Sequence, residues 1–321
     1  MLVIACPGQG SQTPGFLSPW LDFPGVRDHL EHLSERAGTD LIHHGTVSDE
    51  ETIKDTAVAQ PLIVAAGLVT ARLLLEDDPL TAATVVAGHS VGELTASAIA
   101  GALPEDDAVA FVRVRANAMA DAAAATPTGM SAVLGGDPDD VAARLADLGL
   151  TAANANGGGQ VVAAGTLEQL AALAENPPAR ARVIALKVAG AFHTHHMSPA
   201  VTALEALRPT LAPTDPAATL ISSYDGRPVA TGEGNLDSLI AQVSRPVRWD
   251  LCMEFMQRMG VTGMIELSPA GTLTGLAKRG MRGTAALAVK SPEDLDAARS
   301  FIEEHSRTTD LDPSLIPEGP Q

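Results

Sequence analysis

The sequence predicts an α/β protein: a large domain on a mainly parallel sheet, with a small β-α-β-β-α-β domain inserted into it. Three observations carry that expectation. Leu2-Val3-Ile4-Ala5-Cys6 is an apolar run halted by Pro7-Gly8, which reads as a buried first strand. A second apolar run, residues 82–87, leads into Gly88-His89-Ser90-Val91-Gly92 and then a helix-like stretch, residues 93–102. Strand, Gly-x-Ser-x-Gly and helix in that order make a sharp turn that exposes a serine hydroxyl at a strand end. Residues 130–188 alternate strand-like and helix-like runs in the ferredoxin-like order.

The composition sets the bounds. A length of 321 residues suffices for a main domain plus an insert, and 45% apolar with 19% charged residues is the balance of a globular protein. Aromatics are only 3%, so the core must be built from Ala, Val, Leu and Ile. Lys+Arg 21 against Asp+Glu 39 gives −18, which argues against nucleic acid or an anionic membrane as partner. Cys6 and Cys252 have no metal or redox spacing and are expected as buried, reduced thiols. The N-terminal run is too short for a signal segment, and no other stretch is expected to cross a bilayer. A cytoplasmic location follows as the expectation.

The turn after the first strand, Pro7-Gly8-Gln9-Gly10-Ser11-Gln12, lies at the strand end where open α/β sheets bind ligands. It lacks the lysine and spacing of a phosphate-cradling loop. Residues 17–56 read as short helices and loops, with His29, His32, His43 and His44 in solvent. Gln60-Pro61 is expected to open an apolar helix through Leu75, with proline in its first turn. The serine-turn helix ends near Gly101, and Pro104-Glu105-Asp106-Asp107 starts another whose carboxylates suit the macrodipole. On that helix Phe111, Arg115, Ala118 and Met119 share one face. Arg115 is thus placed on an apolar face and needs an anion, either a structural carboxylate or a ligand.

Residues 121–129 read as a linker into the insert. Within it, strands are expected at 130–134, 150–155, 160–164 and 182–188, and helices at 137–148 and 166–175, the latter capped by Thr166. Asn154 and Asn156 fall at the hairpin, where Asn156-Gly157 is itself a turn signal. Beyond it come Phe192-His193-Thr194-His195-His196, strands at 218–222 and 264–267, and helices at 236–242, 249–259 and 272–278. Residues 306–321 read as a frayed tail.

A serine hydroxyl needs a base to become a nucleophile. With no third-ligand carboxylate beside them, the three histidines 193, 195 and 196 are better read as holding one general base than a metal. An α/β-hydrolase would place its histidine near the C-terminus, and here the cluster lies mid-chain.

At this point the chain resembles the malonyl-CoA:acyl carrier protein transacylases, the acyltransferases of fatty-acid and polyketide synthesis, over residues 2–290. The resemblance is carried by residues 7–12, Gln60-Pro61, Gly-His-Ser-Val-Gly-Glu (88–93), Arg115 with Met119, Asn154 and Asn156 with Gln-Val-Val-x-Ala-Gly (160–165), Ala-Phe-His (191–193), Gln242 with Pro-Val-Arg-Trp (246–249), and Glu-Leu-Ser-Pro-Ala-Gly (266–271). It implies a hydrolase-like large domain (residues 1–125 and 189–305), a ferredoxin-like small domain (126–188) and a tail (306–321). Ser90 would be the nucleophile, His193 the base held by the backbone carbonyl of Gln242, and the N–H groups of Gln9 and Val91 the oxyanion hole. Arg115 would bind the malonyl carboxylate, Asn154 and Asn156 would touch coenzyme A, and Gln60 and Phe192 would line the site. His89 would support the site. Phe192 is similar to the malonyl-selecting form of its segment, although Gly190 stands where modular synthase domains that take malonyl often carry histidine.

No metal or cofactor is implied, coenzyme A being carried in as a thioester substrate. Malonyl-CoA and an acyl carrier protein are the expected partners of a monomer. The acidic carrier poses an electrostatic problem at −18. Residues 267–292 and 176–204, however, contain no Asp or Glu and carry Lys278, Arg279, Arg282 and Lys187, the expected docking face. Two rival readings use the same turn: a thioesterase or esterase, which would not need Arg115, and a silent carrier-docking module, which would lack an intact serine–histidine pair.

Overall fold

A computed structural model describes residues 1–76, 80, 84–188 and 190–306. Its elements, in chain order, are β1 (Leu2–Cys6), α1 (Val26–Ala37), α2 (Leu41–Thr46), α3 (Thr56–Leu75), β2 (Thr84–Gly88), α4 (Gly92–Ile99), α5 (Glu105–Ala125), β3 (Thr128–Gly135), α6 (Pro138–Asp147), β4 (Thr151–Gly157), β5 (Gln160–Thr166), α7 (Leu167–Glu175), β6 (Ala181–Ala185), α8 (Ser198–Leu207), β7 (Thr219–Ile221), α9 (Gly232–Ala241), β8 (Val247–Arg248), α10 (Trp249–Arg258), β9 (Gly263–Glu266), α11 (Thr272–Gly280), β10 (Ala285–Ala288) and α12 (Leu295–Ser306). Two five-stranded sheets result, β10-β9-β1-β2-β7 and β6-β3-β5-β4-β8.

The first sheet is parallel throughout, and β1 lies at its centre with every residue buried. Side chains alternate across a strand, so Leu2, Ile4 and Cys6 enter one core while Val3 and Ala5 enter another. Both faces are covered, which is why the strand is continuously apolar. On one side the core includes α3, α4 and α5; on the other it is filled by α10 and α11.

The second sheet pairs β3 with β5 and β6, and β5 with β4, all antiparallel. Its elements follow the β-α-β-β-α-β order expected, and α6 and α7 pack on a small core of Val133, Val141, Leu145, Leu170 and Leu173. Thr166 caps α7 as expected, closing a capping box with Gln169, and Asp137, the first residue of the helix expected over 137–148, is the cap of α6. A fifth strand, β8, comes from far along the chain and pairs in parallel with β4 at Asn154 and Ala155. That pairing ties the second sheet to the segment following Gln242.

Several expectations are corrected. Asp55 caps α3, so the helix starts at Thr56 and Pro61 lies inside it. At 20 residues with a mean hydropathy of 1.8, α3 is long and apolar enough to cross a bilayer, against the expectation that no stretch was. It is instead a core helix, with 78% of that window buried, packed against α5, α4, α1 and α2. The supposed linker 121–129 is mostly α5 and β3, because four consecutive alanines propagate a helix as far as Ala125. Asn156 belongs to β4, and the tight turn falls on Gly158-Gly159. His29 is not solvated: it is 7% exposed and its Nε2 lies 2.6 Å from Glu105 Oε1, while His32 pairs with Asp106 at 2.7 Å. The strand expected over 182–188 ends at Ala185. The helices α8 and α12 and the strand β10 had no counterpart in the sequence reading. Residues 82–83 of the expected second strand and 307–321 of the expected tail lie outside the described residues.

Candidate active site

The C-terminal ends of β1 and β2 lie side by side, Cys6 opposite Gly88, and the serine turn crosses between them. The turn needs its glycines: a Cβ on Gly92 would stand 2.2 Å from the Cys6 carbonyl oxygen, and one on Gly88 2.2 Å from the Gly92 carbonyl carbon. Ser90 itself has φ 55, the strained left-handed backbone that lifts its hydroxyl out of the turn. His193, at φ 60, is held in the same uncommon region.

Ser90 Oγ and His193 Nε2 are 2.7 Å apart, and His193 Nδ1 is 2.7 Å from the Gln242 backbone oxygen. A carbonyl only accepts, so Nδ1 carries the proton and Nε2 presents its lone pair to the serine hydroxyl. Burial, reinforced by the nearby Arg115 cation, pushes the His193 pKa down to about 3. The imidazole is therefore neutral, the form a general base requires. The geometry picks one base from the histidine cluster: His195 is exposed and His196 half-buried.

Arg115 is 2% exposed on the inner face of α5, as its spacing predicted. One terminal nitrogen donates to Gln60 Oε1 at 2.6 Å; the other donates to Gln242 Oε1 at 3.0 Å and Ser90 Oγ at 3.2 Å. Among the described residues it has no carboxylate in ion-pair contact. The structural anion left open by the sequence is thus not in direct contact. Burial pushes the Arg115 pKa down to about 10, still protonated at neutral pH. Gln60 also donates to Met119 Sδ at 3.6 Å.

Gln9 and Val91 border the same cavity, of about 200 Å3, and neither backbone N–H is spent on a hydrogen bond among the described residues. Val91 sits immediately before the first turn of α4, where N–H groups lack intrahelical acceptors. Phe192, Met119, Met130, Val162, Leu186 and Val188 form apolar wall. Gly190 packs so tightly that a Cβ there would meet the Ala123 Cβ at 2.6 Å, which leaves no room for the histidine of modular synthases.

Asn156 Oδ1 accepts from His89 Nε2 at 2.9 Å, and burial lowers the His89 pKa. Asn154 is buried, its Oδ1 has no partner among the described residues, and it lines the cavity. Lys187, Lys278, Arg279 and Arg282 are exposed. Lys187 lies between two lining residues, Leu186 and Val188, and α11 contributes Thr272, Leu273 and Leu276 to the opposite wall. Arg279 also donates to Gln160 Oε1, another lining residue, at 3.0 Å.

Two features were not foreseen. Glu266, wholly buried at the end of β9, accepts from the N–H groups of Gly271, Thr272, Leu273 and Thr274 at 2.8–3.1 Å and so anchors the N-terminus of α11 beside the cavity. Glu93, on the first turn of α4, is 3% exposed and bonds the side chain of Gln242, for which only a backbone role was expected. The available signal for both was a glutamate set among apolar residues, Gly92-Glu93-Leu94 and Ile265-Glu266-Leu267.

A family model described as the acyl transferase domain matches residues 3–309. The chain is 53% identical over 297 residues to the malonyl CoA-acyl carrier protein transacylase of Mycobacterium tuberculosis (strain H37Rv), covering 92% of this chain and 98% of the relative. The Escherichia coli K12 protein of the same description is 29% identical over 299 residues, with 91% and 96% covered. Among solved structures, MCAT from Mycobacterium tuberculosis superposes with a TM-score of 0.88 at 51% identity, over 93% of this chain and 99% of that one. A malonyl-transacylase in complex with a holo type II PKS acyl-carrier protein superposes with a TM-score of 0.86 at 28% identity, again over 93% and 99%.

Proposed function

The chain belongs to the acyl transferase family and is an acyltransferase of the malonyl CoA-acyl carrier protein transacylase kind, and from that premise we propose that it works by a ping-pong mechanism through a malonyl-serine. The observation that carries the reading is one line of contacts: Ser90 Oγ to His193 Nε2, and His193 Nδ1 to the Gln242 carbonyl, with a buried guanidinium against the serine.

Ser90 Oγ attacks the thioester carbonyl of malonyl-CoA as His193 Nε2 takes its proton. The N–H groups of Gln9 and Val91 receive the oxyanion, each worth roughly 10²–10³ in rate. The C–S bond breaks, the coenzyme A sulfur takes the proton from His193, and malonyl remains as an ester of Ser90. The phosphopantetheine thiol of the carrier then gives its proton to His193 and attacks that ester, and Ser90 recovers its proton as it leaves. No electrons change hands. Arg115 replaces its long contact to Ser90 with a two-point grip on the malonyl carboxylate, which excludes acyl groups lacking one. A carbonyl in place of the triad carboxylate suffices to hold the imidazole tautomer. Phe192 bounds the acyl pocket against branched malonyl groups, and Asn154 offers its free Oδ1 to coenzyme A, beside Asn156.

Residues 126–188 form the small domain on this reading, and the strand order β6-β3-β5-β4 with antiparallel neighbours supports calling it ferredoxin-like. The remainder, 1–125 and 189–305, is the hydrolase-like part. The protein acts as a cytoplasmic monomer without a metal or cofactor, serving carriers of fatty-acid or polyketide synthesis. Lys278, Arg279, Arg282 and Lys187 form the carrier-docking face. Reversing the charge of Lys278 and Arg279 together raises the KM for carrier a few-fold more than that for a bare pantetheine thiol.

The test is to mix the enzyme with malonyl-CoA, quench, and locate the added malonyl by mass spectrometry. The reading expects it on Ser90, discharged faster by carrier thiol than by water. Label elsewhere, or discharge to water at an equal rate, sinks it, the latter in favour of a thioesterase.

A further inference from the structure

We propose that Glu93 is a positioning residue for the acyl-group clamp: through the side chain of Gln242 it forms an amide-bridged ion pair with Arg115, which aims the guanidinium yet leaves it free of any directly bonded anion. This rests on the acyl-transfer reading of the site.

The bridge is continuous. Glu93 Oε1 accepts from the Ser223 N–H and Oε2 from Gln242 Nε2, while Gln242 Oε1 accepts from Arg115 at 3.0 Å. Gln242 Nε2 also donates to the Ser90 carbonyl at 3.1 Å, and the Gln242 backbone oxygen holds His193. An amide has one accepting end and one donating end. With a carboxylate and a carbonyl on one side, only the NH2 group can face them, so the oxygen must face Arg115. Turned over, the amide would set NH2 against a guanidinium N–H and its oxygen against a carboxylate. Glu93, with the Ser90 carbonyl, thereby fixes which way Gln242 points. Burial pushes the Glu93 carboxyl up, but N–H donors on both oxygens hold it toward the ionised form.

The spacer matters. A carboxylate bonded directly to Arg115 would fill the fork that an incoming carboxylate must occupy. The amide carries the compensation through a neutral group whose oxygen competes weakly with a substrate anion.

Glu93→Gln keeps the shape and removes the charge and one accepting oxygen. In steady-state transfer from malonyl-CoA and acetyl-CoA, the expected result is a fall of about tenfold in the malonyl-to-acetyl ratio of kcat/KM, the cost of losing one charge-assisted contact. Gln242→Leu cuts the bridge from its other end, leaves Glu93 on Ser223, and lowers the ratio in the same direction. The double variant does no worse than the poorer single, since both break one connection. Equal losses for both thioesters, or additive losses in the double variant, overturn the proposal and leave Glu93 an anchor of α4. Should Glu93→Gln fail to fold, Glu93→Asp, which keeps the charge but withdraws the carboxylate from Gln242, is measured in its place; an unchanged ratio there overturns the proposal. Arg115→Ala separates the two levels: if it too leaves the ratio unchanged, the clamp reading itself falls; if it lowers the ratio and the other two do not, only the role of Glu93 falls.

Discussion

The two ends of the cavity are built on opposite plans. At its floor Ser90, His193, Arg115 and Gln60, backed by Gln242 and Glu93 behind the lining, are joined by hydrogen bonds, with side chains from α3, α4 and α5 and the segments around residues 193 and 242. At its mouth Leu186 is 37% exposed and the basic side chains of α11 stand in solvent, and on the wall Asn154 keeps a buried oxygen without a partner among the described residues. The floor has made its hydrogen bonds in folding, so on the proposed mechanism its hydroxyl, imidazole and guanidinium need little reorganisation to act. The mouth is less fully bonded, and on the proposed function the Asn154 oxygen finds its partner in the coenzyme A thioester. A preorganised floor should therefore govern kcat and acyl selectivity, and an unfinished mouth should govern KM.

The sharpest way to break that division is Ser90→Ala, expected to lower kcat by about 10⁴-fold or more with the KM for malonyl-CoA little changed, as measured by carrier acylation. A large KM change would move Ser90 out of the floor. Arg115→Ala comes next: about a 10²-fold loss of kcat/KM for malonyl-CoA and a far smaller one for acetyl-CoA, measured by competition between the two thioesters. Asn154→Ala probes the mouth, with an expected rise of about 3–10-fold in the KM for the coenzyme A thioester and an unchanged kcat. A fall in kcat instead would show that the mouth also positions the reacting atoms.

The smallest effect concerns pH. His193 is held near 3 in the folded protein, below the ordinary 6.5, so lowering the pH from 7 to 5 should change kcat/KM by less than about twofold through this group. Stability does respond to that fall in pH: between pH 6.5 and 3 the unfolded chain takes up a proton that folded His193 refuses. This contribution is full above 6.5 and is lost as pH falls through that window. An activity limb near 6.5 would mean the base is more solvated than its 3% exposure implies.

What could be read from the residues, and what could not, divides along the same line. Gly88 to Gly92, the Asp137 and Thr166 caps and the order of elements through 130–188 were legible because each is encoded within a few residues, by sterics at a turn or by one side chain bonding a nearby N–H. Pro61 misled for the same reason: taken locally it marks a helix start, but Asp55 and the surrounding core extend the helix around it. His29 misled because its partner, Glu105, stands 76 residues away, whereas His32 is exposed as expected.

By itself the sequence determined the serine turn, the buried face that carries Arg115 and, through its motifs, a family likeness that named His193 and the Gln242 carbonyl. Only the tertiary structure decided that Arg115 has no carboxylate in contact among the described residues, that the Gln242 side chain stands between Arg115 and Glu93, and that α3 is core and not membrane. The reason is physical. A turn or a cap is fixed by the backbone geometry of neighbours, whereas the charge state and partner of a buried group depend on which distant chain segments exclude water around it.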